Sequence, residues 1–184
     1  MGLETATAAL SGAGLLLLIT YSHNEEKIAK VLSKIEWLAI FFFAGLFVLV
    51  GALVETGVIK MLAEEAIAVT EGDVFFTAMI ILWMSALASA FIDNIPFVAT
   101  MIPLIKDMGA MGLSNLEPMW WSLALGACLG GNGTLIGASA NVVVASMAAQ
   151  RGKPISFISF MKTAFPLMIL SIVISMAYVW IRYL

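Results

Sequence analysis

The chain has 184 residues, of which 62% are hydrophobic and 11% charged, with a formal net charge of −3 at pH 7 and a mean hydropathy of +1.05. Soluble domains run at about 45–50% apolar and about 25% charged, so lipid is the solvent this composition suits. No basic stripe exists to track a nucleic-acid backbone, and the single cysteine, Cys128, sits in an apolar stretch; nucleic-acid binding, a disulfide framework and a cysteine-based metal site are excluded.

Only Glu4 precedes the first apolar run, with no basic segment before it and no cleavage site after it. A signal peptide is not expected, and the chain reads as one that begins mid-protein. Residues 5–24 and 37–54 each have ordinary spanning length and predict transmembrane helices. Between them His23 is expected in a solvated loop, in company with Lys27, Lys30 and Lys34. Residues 55–73 mix Val58, Ile59, Met61, Leu62, Ala63, Ile67 and Val69 with Glu64, Glu65 and Glu71, which predicts a short amphipathic helix in the interface plane, a connector or a hinge arm.

Two further runs are too long to be single spans. Val74–Ile105 holds 32 residues broken only by Asp93, and Pro118–Gln150 holds 33 without a charge; straight helices of those lengths would reach roughly 50 Å against a hydrocarbon core of about 30 Å. Each has a helix-breaking centre. In the first it is Ser89-Ala90-Phe91-Ile92-Asp93-Asn94-Ile95-Pro96; in the second, Gly126 to Asn141 contains five glycines. Residues 74–108 are therefore predicted to form a re-entrant hairpin, residues 118–150 a broken transmembrane helix, and residues 160–184 a last spanning helix. Trp37, Trp120, Trp121, Trp180 and Tyr183 fall at predicted span ends, where amphipathic rings anchor.

Lysine and arginine counts set the sidedness. If the hairpin enters and leaves on one face, Lys27, Lys30, Lys34, Arg151, Lys153 and Lys162 lie inside and Lys60, Lys106 and Arg182 outside. A single crossing would give a nearly even split. The second arm, Ile95 to Ile105, would reach only about 17 Å, which favours a hairpin over two full spans.

Asp93 is the sole acidic side chain inside a predicted membrane run, and an intramembrane charge costs at least about 2.5 kcal/mol. A bound cation, a proton, or the free amides of the arm starting at Ile95-Pro96 would compensate it. Ser89, Asn94 and Thr100 add neutral polar groups around the same break. In the second break Gly131, Asn132, Gly133, Thr134, Ser139 and Asn141 combine close backbone approach with amide and hydroxyl groups, so unwound carbonyls can coordinate a hard cation such as sodium. Packing of the Gly-xxx-Gly kind, by Gly126-Gly130 and Gly133-Gly137, is the competing explanation of those glycines. Paired interruptions of long hydrophobic segments point to a secondary transporter with its site between them.

Trp37 to Gly57 (WLAIFFFAGLFVLVGALVETG), Ser89 to Ile105 (SAFIDNIPFVATMIPLI) and Leu125 to Ser146 (LGACLGGNGTLIGASANVVVAS) resemble the ion transporter superfamily of arsenite permeases, NhaD-type sodium/proton antiporters and citrate-transporter-like proteins, with most likeness to the P-protein branch. The resemblance implies an all-α integral membrane fold of two inverted repeats, each with scaffold helices, a re-entrant hairpin and a broken helix, working by elevator-type alternating access. It implies substrate and sodium between tip and loop, with Ser89, Asp93, Asn94 and Pro96 matching the tip and Asn132, Gly133, Thr134, Ser139 and Asn141 the loop. Sodium is expected near Asp93, Asn94, Asn132 and Asn141. The chain would be the C-terminal repeat alone, a fragment or one half of a split protein, and a homodimer when complete. The expected cargo is an inorganic ion, sodium- or proton-coupled; an arsenite, carboxylate or chloride permease or channel is the alternative. The expected location is a multi-pass position in the plasma or inner membrane. An intramembrane aspartyl protease would need a second membrane carboxylate, and a non-transporting assembly subunit would lack ligand-linked stabilisation.

Overall fold

The computed structural model describes residues 4–21, 24–35, 37–92 and 94–183. His23 and Asp93 lie outside the described residues. Within them the elements are helices α1 (Thr5–Tyr21), α2 (Glu25–Leu32), α3 (Trp37–Glu55), α4 (Val58–Thr70), α5 (Val74–Phe91), α6 (Asn94–Ala110), α7 (Glu117–Gly130), α8 (Ser139–Gln150) and α9 (Phe157–Tyr183). The chain divides into two units, Met1–Gly45 and Leu46–Leu184, with α3 running from one into the other.

In the first unit α1 buries no residue; Leu15, Leu16, Leu18 and Ile19 are all exposed, as a helix solvated by lipid requires. Helix α2 forms where the sequence pattern suggested only a loop. Its start is local chemistry: the Lys27 amide donates to Asn24 Oδ1 at 3.0 Å, and Glu25 and Glu26 place negative charge on the first turn.

In the second unit the chain turns by 66° between Ile40–Glu55 and Val58–Thr70, at Gly57, whose φ of +76° suits a residue without Cβ. Helix α4 buries Ile59, Ala63 and Thr70 and packs on α6. Asp73 caps α5 by accepting from the Phe76 amide at 2.8 Å. The Thr77 hydroxyl, 2.9 Å from that of Thr70 and 2.6 Å from the Asp73 carbonyl, ties the turn together.

Helices α5 and α7 form the centre. The backbone of Gly126 meets α5 at Leu82 and Ser85, and that of Gly130 meets it at Ala86; the register advances together on both helices, so they run parallel at backbone contact. Helix α9 packs antiparallel to α5: Met168 and Ile172 share a buried cluster with Leu82, Ala86 and Ala90, and Val179 lies with Ala78 and Met79. Helix α6 returns on the other side, its Ile105 and Met108 buried with Ile81, Met119, Leu123 and Ala63.

Helix α6 is longer than the arm expected from the apolar run. It continues through Lys106 and Asp107 to Ala110, 17 residues or roughly 25 Å, because a charge ends a hydrophobic run without ending a helix. Arm length therefore no longer separates a hairpin from two spans. The direction of α6 bears on a different point, a return to one face as against a single crossing, since it leads back to the level of Ile81 in α5. Helices α5 and α9 are each long and apolar enough to cross a membrane, and the bent pair α3–α4 passes the same test together. The last helix begins at Phe157, three residues before the expected start at 160, and carries Lys162 in its second turn.

The α5–α7 seam contains two fully buried hydroxyls without a hydrogen-bond partner, on Ser85 and Ser122. A buried polar group left unpaired opposes folding, whereas a satisfied one supports it by about 1 kcal/mol. Ser122→Ala is thus expected to leave thermal stability in detergent unchanged or raised, whereas Ser89→Ala, which removes a bonded hydroxyl, is expected to lower it by about 1 kcal/mol.

Candidate functional site

The two breaks meet. Helix α5 ends at Phe91 and α7 at Gly130, and residues 131–138 form an irregular loop before α8. The Ser89 hydroxyl donates to the Ala127 carbonyl across the seam at 2.6 Å. Thr134, fully buried, donates its hydroxyl to the Ala90 carbonyl in the last turn of α5 and accepts from the Gly137 amide at 3.1 Å. The Asn141 amide nitrogen donates to the carbonyls of Gly131 and Thr134, each at 3.0 Å, closing the loop from the α8 side.

Glycine is required here by space. A Cβ on Gly137 would stand 2.7 Å from the Gly131 carbonyl oxygen, 2.9 Å from that of Ala90 and 3.0 Å from that of Ser89. A Cβ on Gly131 would meet the Gly137 carbonyl oxygen at 2.9 Å, whereas one on Gly133 would meet the flexible end of Met168, Cε at 2.8 Å, which can turn aside. Three backbone carbonyls from α5 and the loop thus surround Gly137. The carbonyl ends of α5 and α7 carry partial negative charge, while α6 and α8 begin beside them with amide ends of opposite sign. Such a junction can hold a hard cation on carbonyl oxygens and present amides to an anion.

The polar residues expected here have unequal roles in this geometry. Ser89, Gly131, Gly133, Thr134 and Asn141 are brought together, but the hydroxyls of Ser89 and Thr134 and the amide nitrogen of Asn141 are engaged with backbone carbonyls. Asn132 and Ser139 are exposed at the loop's two ends, free to face a solute. Pro96 is half-buried in the first turn of α6. Asn94 lines a separate cavity of about 290 Å³ with Phe47, Ile95, Val98, Ala99 and Ile102. The Thr100 hydroxyl serves its own helix, donating to the Phe97 carbonyl at 2.7 Å. Asp93 lies outside the described residues.

One residue near the junction escaped the sequence reading. Lys162 lines a cavity of about 370 Å³ with Phe91, Met161, Phe165 and Pro166, directly beside the end of α5. The sequence reading counts it only among the inside charges, because it precedes the uncharged run of α9. The signal that could have found it is Pro166, which stands one helical turn further on and is carried inside the helix.

Multi-pass apolar helices with two interruptions joined at their broken ends are the arrangement in which secondary transporters place a binding site. The comparisons agree. The citrate transporter family model matches residues 3–126. The uncharacterized transporter Rv2684 of Mycobacterium tuberculosis is 45% identical over 183 residues, covering 98% of this chain and 42% of that protein. The 46 kDa membrane protein of Mycobacterium leprae is 42% identical over 175 residues, 94% of this chain and 40% of that one. The P protein of Mus musculus is 43% identical over 189 residues, 99% of this chain and 22% of that protein. The chain belongs to the citrate transporter family. It spans about two fifths of the length of the mycobacterial relatives it matches. No solved structure matches it.

Proposed function

We propose that the chain supplies one half of the binding site of a secondary active transporter, coupled to sodium or protons and working by elevator-type alternating access. Cargo crosses without chemical change. The observation that carries this reading is the junction itself: the Thr134 hydroxyl on the Ala90 carbonyl and the three carbonyl oxygens around Gly137 make one body of two helix breaks. The return of α6 toward the level at which α5 begins supports a hairpin that enters and leaves on one face. A second repeat and a homodimeric assembly complete the proposal, the remaining length of the relatives being where that repeat would lie.

Ser89 and Thr134 act in this account as clamps that fix the carbonyls. Asn132, Ser139 and the carboxyl of Asp93 are the groups that meet the solute. The test is protection from thiol labelling: in a Cys128→Ser background of the complete protein, Asn132→Cys and Ser139→Cys are expected to react at least several-fold more slowly in sodium or in the transported solute than in choline. Equal rates in every medium would remove the loop from the site.

A second reading, an anion carrier of the carboxylate class, is favoured by Lys162 and by the citrate transporter description of the family model. Lys162 is the one cationic side chain lining its cavity. Lys162→Gln is expected to raise the apparent KM for a carboxylate by about tenfold, the scale of one charge-assisted contact, and to leave a cation-only exchange unchanged. Uptake kinetics of citrate against sodium/proton exchange separate the two readings.

A further inference from the structure

Helix α9 consists of two unlike parts. All of its buried residues, Met168, Ile172, Ser175 and Val179, follow Pro166 and are spaced as the buried face of a packed helix. None of the nine residues from 157 to 165 is buried, and only Phe165 of these packs against a core cluster of the described residues. The boundary between the parts is Pro166, carried inside the helix. It has no amide to offer the Lys162 carbonyl four residues back, and its ring presses on that carbonyl, so the hydrogen-bond ladder lacks a rung there. Sharp bends in helices occur at such positions.

The other end of the first part is not anchored by packing either. The chain reaches it from α8, which buries no residue, through residues 151–156, which turn at Gly152 with φ +74°. Residues 157–165 therefore make a lever about 13 Å long, with its joint at Pro166. Room to move lies on one side of it. The cavity of about 370 Å³ between Phe91, at the end of α5, and Met161, Lys162, Phe165 and Pro166 would hold roughly a dozen water molecules. A change of about 20° at the joint carries the far end of the lever about 4 Å across that space, and Lys162, one turn from the joint, about 2 Å.

We propose that α9 is jointed at Pro166 and that its first part is a lid: it swings between an open position, which leaves the cavity beside Phe91, and a closed one, which fills the cavity and covers the end of α5. The part beyond the joint stays fixed in the core. Met168, two residues past the joint, is buried against Gly133 of the loop, so the joint stands at the level of the two breaks. Lys162 travels with the lid and is presented or withdrawn as it swings. That the lid serves the candidate site rests on the transport reading; the swing itself does not.

The experiment measures two distances by pulsed electron spin resonance, in a Cys128→Ser background of the complete protein in nanodiscs, diluted with unlabelled protein. Labels at Leu87→Cys and Ser159→Cys read the lever against α5, and labels at Leu87→Cys and Ile181→Cys read the packed part. All three positions are exposed, so the labels displace no core residue. The first pair is expected to give two distances about 4 Å apart, and the second a single one. Pro166→Ala restores the missing amide and should melt no lower than its parent; in that variant the first pair is expected to give one distance. A single distance for the first pair in the parent protein overturns the proposal, as does a pair of distances that survives Pro166→Ala. Because the readout is a distance and not a flux, failure of the transport reading would leave it standing.

Discussion

Gly130→Ala is expected to unseat α5 from α7 and with it the junction of the two breaks. The added Cβ would lie 2.6 Å from Ala86 Cα and 2.8 Å from its carbonyl carbon. Those are backbone atoms of a helix, with no rotamer to escape into, so the helices must separate by a large fraction of an ångström or more. Overpacking of a tight interior costs about 1–3 kcal/mol, and separation also stretches the Ser89–Ala127 and Thr134–Ala90 hydrogen bonds. The melting temperature in detergent should fall, and transport should be lost even below it. Gly51→Ala is the control. Nothing lies within 4 Å of its added Cβ, and alanine is the better helix former by about 1 kcal/mol, so this variant should melt at the same temperature or higher. Equal behaviour of the two would mean that α5 and α7 do not touch as described.

Asp93→Asn should have the second large effect, in the opposite balance. The sequence predicts Asp93 inside a membrane run, where a charge costs at least about 2.5 kcal/mol, so insertion and yield should be unchanged or improved. Coupled transport should fall by about 10- to 100-fold, the equivalent of one contact to a charged group at about 1.5–3 kcal/mol. Membrane-fraction yield and gradient-driven uptake, measured on the same preparation of the complete protein, check the two halves. Retained coupling would remove the carboxylate from the mechanism.

The all-helical membrane class was legible because uncharged runs of spanning length leave few other folds. The second interruption was legible for a local reason: glycines at 126, 130, 131, 133 and 137 weaken a helix wherever they stand, and the chain is irregular from Gly131 to Ala138. The competing uses of those glycines turn out to be divided between them. Gly126 and Gly130 make the close helix contact, while Gly133 and Gly137 lie in the loop against Met168 and the carbonyls of α5.

What the residues could not reveal is which groups their hydroxyls and amides would meet. Ser89 and Thr134 are chemically fit to bind an ion or to bind a carbonyl, and only the approach of α5 to α7 decides for the carbonyl. Lys106 and Asp107 marked the end of an apolar run and so concealed the last turns of α6. Lys162 served only as an inside charge beside such a run, and α2 was hidden by its shortness, its start depending on one Asn24 cap. In each case the missing information was a long-range contact or a helix end, neither of which a hydropathy pattern encodes.

The most direct test is uphill flux. With the complete protein in proteoliposomes, an imposed sodium or proton gradient should drive accumulation of the solute above its equilibrium level, and an ionophore that dissipates the gradient should release it. Solute that only equilibrates down its own gradient, unaffected by the ionophore, would contradict coupled transport.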